Sequence, residues 1–210
     1  MERNRQLLQA LKRAADQGDA VPCIAVGRPV HTLLRPVATL KGRVRDNDLR
    51  VLSDWRNRYV TSFLHEFAAT PERTADWLAH IVGPDDTKIL FMLDDLAGRT
   101  FGYMGLAFID WARGEVEADA IVRGEDAPRG VMSEALRTLL GWARTQLGLP
   151  KVGVRVRSDN PALAFYEKLG FVEVQRFVLA RSDADDGVKW VEKGAAGPRE
   201  LALVHMTYTR

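Results

Sequence analysis

Between residues 71 and 150 the spacing of the apolar side chains changes twice, and this constrains the fold more than any other feature of the chain. Up to residue 83, Trp77, Leu78 and Ile81 recur at helical spacing behind Thr70-Pro71, an N-cap followed by a proline at the first helical position. From residue 89 the period is that of strands. Residues 89–93 are a continuous apolar run, and 101–109 follow as a second strand after a turn at Gly98. Residues 115–122 form a third strand, in which Glu115, Glu117 and Asp119 lie on one face and Val116, Ala118 and Ala120 on the other. The helical period returns in Val131, Ala135, Leu136, Leu139, Leu140 and Ala143, and Gly148-Leu149-Pro150 stops that helix. Consecutive antiparallel strands, then helix, strand, helix and strand, predict a mixed, mostly antiparallel α/β sheet flanked by helices.

The rest of the chain reads around this block. Residues 4–17 pattern as an amphipathic helix ended by Gly18, and residues 23–26 and 32–40 as short strands limited by Pro22, Pro29 and Pro36. A polar junction at 43–48 precedes a helix carrying Leu49, Leu52, Trp55 and Tyr59. Beyond the long helix come a strand at 152–156, a short helix at 161–169, a strand at 171–180, a polar loop at 182–199 and a closing strand at 201–208. The expected division is an N-terminal helical and strand extension, 1–45, and a main domain, 46–210. Net charge is only +2, from 30 basic and 28 acidic side chains, and 46% of residues are hydrophobic, which excludes disorder. So even a balance gives no general attraction for nucleic acid or a membrane surface. Cys23 is the only cysteine, so an internal disulfide or a multi-cysteine zinc site is excluded, and no metal and a reducing cytoplasm are expected. The N-terminal residues read as a helix face and not as a leader, so a cytoplasmic protein is expected.

Two segments carry chemistry. The first, residues 123–136, runs from a strand into a helix N-terminus. The unpaired amides and the positive end of the helix dipole make an anion site there, and Gly130 lets the backbone approach a phosphate. The second, residues 158–171, opens its helix at Asn160-Pro161 and closes it at Leu169-Gly170-Phe171. Ala162, Phe165 and Leu169 form its apolar stripe. Tyr166 lies at the edge of that stripe, where a ring can be half buried while its hydroxyl reaches a cleft.

Together these segments resemble the GNAT superfamily of acyl-CoA-dependent N-acyltransferases, over roughly residues 48–180. Asn160 through Phe171 is very similar to that family's signature. The first segment departs from the pattern Gln/Arg-x-x-Gly-x-Gly/Ala: with Gly130 on the first glycine, Ala127 stands at the Gln/Arg position and Met132 at the last, while Pro128 removes an amide donor. Gly130-Val131-Met132-Ser133-Glu134-Ala135 resembles subfamilies whose turn reads Gly-Tyr-Met-Thr-Glu-Ala. The resemblance implies a splayed central sheet, acetyl-CoA as co-substrate and direct attack by a substrate amine, so Cys23 is not needed as a nucleophile. It implies that the amides of Arg129, Gly130, Val131 and Met132 hold the pyrophosphate. It also implies that the strand through Ile121 and Val122 pairs with the pantetheine arm, and that Tyr166 protonates the departing thiolate. Asn160 either contacts the cofactor arm or caps its own helix.

Three residues are candidates for the base. Glu117 and Asp119 either take the ammonium proton or form a solvated face, and His65, between Phe63 and Phe67, is the alternative. Trp55-Arg56-Asn57 resembles the Trp-Arg-Asn element of GNAT enzymes that acetylate amino sugars on nucleotide carriers, which implies a nucleotide-linked amino sugar as the acceptor, in surface-polysaccharide synthesis. A protein N-terminus, another small-molecule amine, or a non-catalytic CoA-binding module are the alternatives. Residues 1–45 offer a surface for a homodimer.

Overall fold

The computed structural model describes residues 2–18, 21–124 and 126–209. The chain forms two compact units, Met1–Ser53 with Thr70–Val152, and Asp54–Ala69 with Gly153–Arg210. Both are built on antiparallel strands with helices, the mixed α/β class that the changes of apolar period predict.

The first unit contains α1 (Glu2–Gln17), β1 (Ile24–Val26), β2 (Thr32–Pro36), the start of α2 (Asp46–Arg58), α3 (Pro71–Trp77), β4 (Ile89–Asp95), β5 (Thr100–Asp110), β6 (Glu115–Arg123) and α4 (Val131–Gln146). Its strands lie in the order β1-β2-β4-β5-β6, each antiparallel to its neighbour. β2 stops at Pro36, short of the predicted residue 40, although the Val37 amide still donates to the Leu90 carbonyl at 3.0 Å. Thr70 caps α3 by accepting the Arg73 amide at 3.2 Å, and one π-helical turn, Leu78–Val82, completes the predicted helix. The seven apolar residues Val131, Met132, Ala135, Leu136, Leu139, Leu140 and Ala143 of α4 are buried, and Trp142 meets Phe91 edge-on at 5.9 Å.

Buried charges tie the early segments to this core. Arg35 donates to both Asp48 oxygens at 2.9 Å and to Asp94 at 2.5 Å, fastening the first turn of α2 to β2 and β4. Those hydrogen bonds outweigh burial and hold the guanidinium above its ordinary range. Lys12 of α1 is 4% exposed. Its ammonium donates to the carbonyls of Val82, Asp85 and Lys88 at 2.6, 2.7 and 3.2 Å, and burial lowers its pKa to about 8. A neighbouring carboxylate, Asp16, accepts the amides of Thr39 and Leu40.

The second unit contains the end of α2, β3 (His65–Glu66), β7 (Lys151–Arg157, from Gly153 on), α5 (Ala162–Leu169), β8 (Phe171–Ala184), β9 (Gly187–Ala195) and β10 (Ala202–Tyr208), with strand order β7-β10-β8-β9-β3. The expected polar loop at 182–199 is instead mostly a hairpin. β8 runs on to Ala184, which pairs with Gly187 across the two-residue turn Asp185-Asp186, and β9 returns along it. Charged side chains on both faces hide its period of two. Cross-strand pairing, and not a buried face, holds it.

Candidate active site

Each unit contributes its own set of candidate residues. In the first, β6 does not keep the clean alternation expected of it. Tyr103 pairs with Val122 and Gly105 with Asp119, so β6 carries one residue more than β5 between these pairs. Ala120 takes a positive φ of 50° there. A second irregularity stands on β5, where Ala107 pairs with Glu117 and Asp110 with Glu115, and Phe108 has φ 53°. Left-handed backbone at a residue with a Cβ costs about 1–2 kcal/mol, and bulges re-aim side chains. Glu115, Glu117 and Asp119 stay on one face as expected, but the bulge brings Val122 onto that face too and removes Ala120 from regular alternation. Opposite Glu117 and Asp119 stand only Ala107 and Gly105, and both carboxylate residues are half-buried. A Cβ at Gly105 would lie 2.6 Å from the Ile89 carbonyl oxygen, so the chain can place nothing larger there.

α4 begins directly after Gly130 as predicted, but the Val131 amide, expected to be unpaired, has a partner in the turn itself. Gly130 is the N-cap residue with φ 85°, and no heavy atom lies within 4 Å of where its Cβ would stand. Val131 and Met132 bury their side chains, so they can offer a ligand only backbone, while Arg129 is exposed. The Val131 amide donates to the Pro128 carbonyl at 3.3 Å, and those of Ser133 and Glu134 donate to the Gly130 carbonyl. Arg123 donates to the Ala127 carbonyl at 3.0 Å and braces the loop. Ile121 is half-buried and Val122 buried. Cys23 donates its thiol to the Val21 carbonyl, and burial raises its pKa.

In the second unit, Asn160 accepts the Ala162 amide on its side-chain oxygen at 2.9 Å, in the turn that enters α5. Tyr166 is only 6% exposed, more deeply placed than the half-buried ring predicted. Phe165 and Phe171 meet its ring edge-on at 5.4 and 5.6 Å, an aromatic packing that spacing along one helix cannot show.

Trp55 and Arg56 pack within this unit, and Asn57, though exposed, bonds to its backbone. Trp55 is buried at 6% exposure. Arg56 places its guanidinium 3.7 Å above the Phe63 ring and 4.5 Å from that of Phe67, and donates to the His65 carbonyl. Asn57 both donates to the Ala69 carbonyl at 2.9 Å and accepts the Ala69 amide at 2.7 Å. His65 bonds Asp186 at 2.9 Å through Nε2. These side chains fold the segment 54–69 onto itself and onto the β8–β9 hairpin.

Sequence reasoning missed the anchor of that segment. Arg157, 5% exposed, grips both oxygens of Asp159 at 3.0 and 2.9 Å and donates to Glu66 at 2.9 Å, above the Trp190 ring at 4.7 Å. Trp190 donates to the same Glu66 oxygen at 2.6 Å. The bonds to Asp159 and Glu66 hold the guanidinium pKa up, and Arg157 holds the Asp159 carboxyl below its usual range. At Gly187, φ is 152° and a Cβ would lie 1.9 Å from the Glu66 carbonyl oxygen, so the hairpin tip must be glycine. The signal available in sequence was Asp185-Asp186-Gly187, a cluster of turn residues.

Among the described residues, no group of three or more His, Cys, Asp or Glu is placed to hold a metal ion, and no helix is long and apolar enough to cross a membrane.

Residues 39–172 match the family described as acetyltransferase (GNAT) domain. No curated protein matches the sequence. Among solved structures, spermidine N-acetyltransferase from Vibrio cholerae in complex with CoA and spermine is similar at TM-score 0.62 and 20% identity, over 84% of this chain and 94% of that one. A mutant of that enzyme gives 0.60 and 21%, over 84% and 92%. A dodecameric structure of it in an intermediate state gives 0.58 and 20%, over 84% and 92%. At these identities the likeness shows the fold.

Proposed function

The chain belongs to the GNAT acetyltransferase family, an N-acetyltransferase using acetyl-CoA, and from that premise we propose that its acceptor is a cationic small-molecule amine. The observation that carries this reading is the pair Glu117 and Asp119, half-buried on one strand face opposite Ala107 and Gly105. Two carboxylates on one strand face draw an ammonium.

The reaction forms a C–N bond and breaks the C–S bond of the thioester. The ammonium must first lose a proton, the tetrahedral oxyanion must be borne, and the thiolate must leave protonated. Glu117 or Asp119 accepts the first proton, directly or through water. Tyr166 donates to the departing sulfur: a phenol of pKa ~10 and a thiol of pKa ~8.5 are close enough for an efficient transfer. The backbone of residues 129–132 receives the pyrophosphate, with Gly130 giving it access. Ile121 and Val122 lie along the pantetheine arm, and Asn160 sets the start of the helix that carries Tyr166.

The amino-sugar acceptor rests on Trp55-Arg56-Asn57. With Arg56 committed to Phe63, Phe67 and His65, and Asn57 to Ala69, these residues act by shaping the segment 54–69. Spermidine, the substrate named for the Vibrio cholerae proteins, is an amine of the proposed class. The test is purified protein with acetyl-CoA and a panel of spermidine, simple diamines, amino-sugar nucleotides and peptides, read by free-thiol release. Release with the polyamines is expected. Release with peptides alone overturns the small-molecule reading, and release confined to amino-sugar nucleotides restores the sugar acceptor.

A further inference from the structure

We infer that His31 is a positioning residue for acetyl-CoA, holding the Glu134 carboxylate aside from the turn at Gly130. The inference rests on the reading of that turn as the pyrophosphate site. The connection between β1 and β2 places His31 beside the start of α4, against which β1 packs. Its Nε2 lies 3.1 Å from a Glu134 oxygen and its Nδ1 3.0 Å from the Thr32 hydroxyl. The ring is seated over Gly27: a Cβ there would lie 2.4 Å from both Cδ2 and Nε2, and Gly27 has φ +94°, so backbone and space both require glycine. Thr32 is 1% exposed and a fixed partner. With the ring neutral, the Thr32 hydroxyl donates to Nδ1 and Nε2–H donates to Glu134. With the ring protonated, Nε2–H still donates to Glu134.

Glu134 needs such a partner because of where α4 puts it. Its amide donates to the Gly130 carbonyl at 3.1 Å, so it stands one helical turn from the N-cap glycine. Side chains of a helix lean toward its N-terminus, and Glu134 therefore leans over the turn that receives the phosphates. A carboxylate swinging there repels a phosphate and takes for itself the positive end of the helix. The His31 bond, with both side chains about half exposed (47% and 48%), limits that freedom. Gly27 and His31 lie outside the residues 39–172 that match the family.

Calorimetric titration with acetyl-CoA, on wild type, His31→Ala, Glu134→Gln and the double variant, tests the inference. His31→Ala should weaken acetyl-CoA binding about 2- to 5-fold. In the Glu134→Gln background the same change should have no effect, because no charge is left to restrain. A merely structural His31 would weaken binding equally in both backgrounds, and that result overturns the inference. So does unchanged affinity in His31→Ala while wild type binds. Wild type that does not bind acetyl-CoA overturns the reading of the turn, and the inference with it.

Discussion

The turn before α4 and the segment 54–69 are built by opposite means. The turn takes its shape from backbone: a left-handed Gly130, and Val131 and Met132 with their side chains turned into the core. The nearby Ala120 bulge belongs to the same kind of construction. The segment 54–69 carries only short elements beyond the end of α2, a 3-10 turn at Val60–Ser62 and the two-residue β3, and is held by side chains, with Arg56 between two phenylalanines, Asn57 on the Ala69 backbone, and Arg157 and Trp190 on Glu66. A backbone-built site tolerates side-chain replacement and fails when a glycine is lost. A side-chain-built one fails at its arginines.

The largest expected effect separates chemistry from either kind of scaffold. Tyr166→Phe should lower turnover about 10²- to 10⁴-fold, the contribution of a positioned acid, with acetyl-CoA affinity within about twofold. Equal turnover removes Tyr166 from the acid role. Arg157→Met leaves the partly buried Glu66 without its cation and should cost about 3 kcal/mol in urea denaturation. A loss under about 1 kcal/mol would mean the segment is held elsewhere. Gly130→Val should weaken acetyl-CoA binding about tenfold, roughly 1.4 kcal/mol, because the branched side chain strains a left-handed residue and crowds the phosphate approach. Unchanged affinity in calorimetry counts against the phosphate site. Asn57→Ala removes two hydrogen bonds to Ala69 and should cost about 1 kcal/mol or somewhat more in the same denaturation series. The smallest effect is Arg129→Ala, which keeps the amide and should leave acetyl-CoA affinity within about twofold. A tenfold loss there would break the contrast, since it would make the turn a side-chain site after all.

How much of this was legible follows the same division. Thr70-Pro71, the strand at 115–122 with its alternation as far as Asp119, the glycine at 130 and the stripe of α4 all announce themselves, because local backbone preference and burial period act over a few residues. The hairpin of β8 and β9 did not, since Asp183, Lys189 and Glu192 interrupt its apolar pattern, although Asp185-Asp186-Gly187 marked the turn. Trp55-Arg56-Asn57 was visible as a motif, but its partners at 63, 65, 67 and 69 were not. The same letters suit a substrate contact or a folded loop. The depth of Tyr166 escaped for a related reason: Phe171 covers it from the next strand.

By itself the sequence determined the class of fold, the order of most of its helices and strands though not β3 or β9, and the two segments that resemble an acyl-CoA enzyme, because each of these is written in spacings within one element. Tertiary structure alone decided the bulges that flank Glu117 and Asp119, the pairing of Arg157 with Glu66 and of Arg35 with Asp48 and Asp94, and the seat of His31 over Gly27 beside Glu134. Which charge a buried arginine meets, and which residue a bulge displaces, depend on chain segments distant in sequence, and no local period records them.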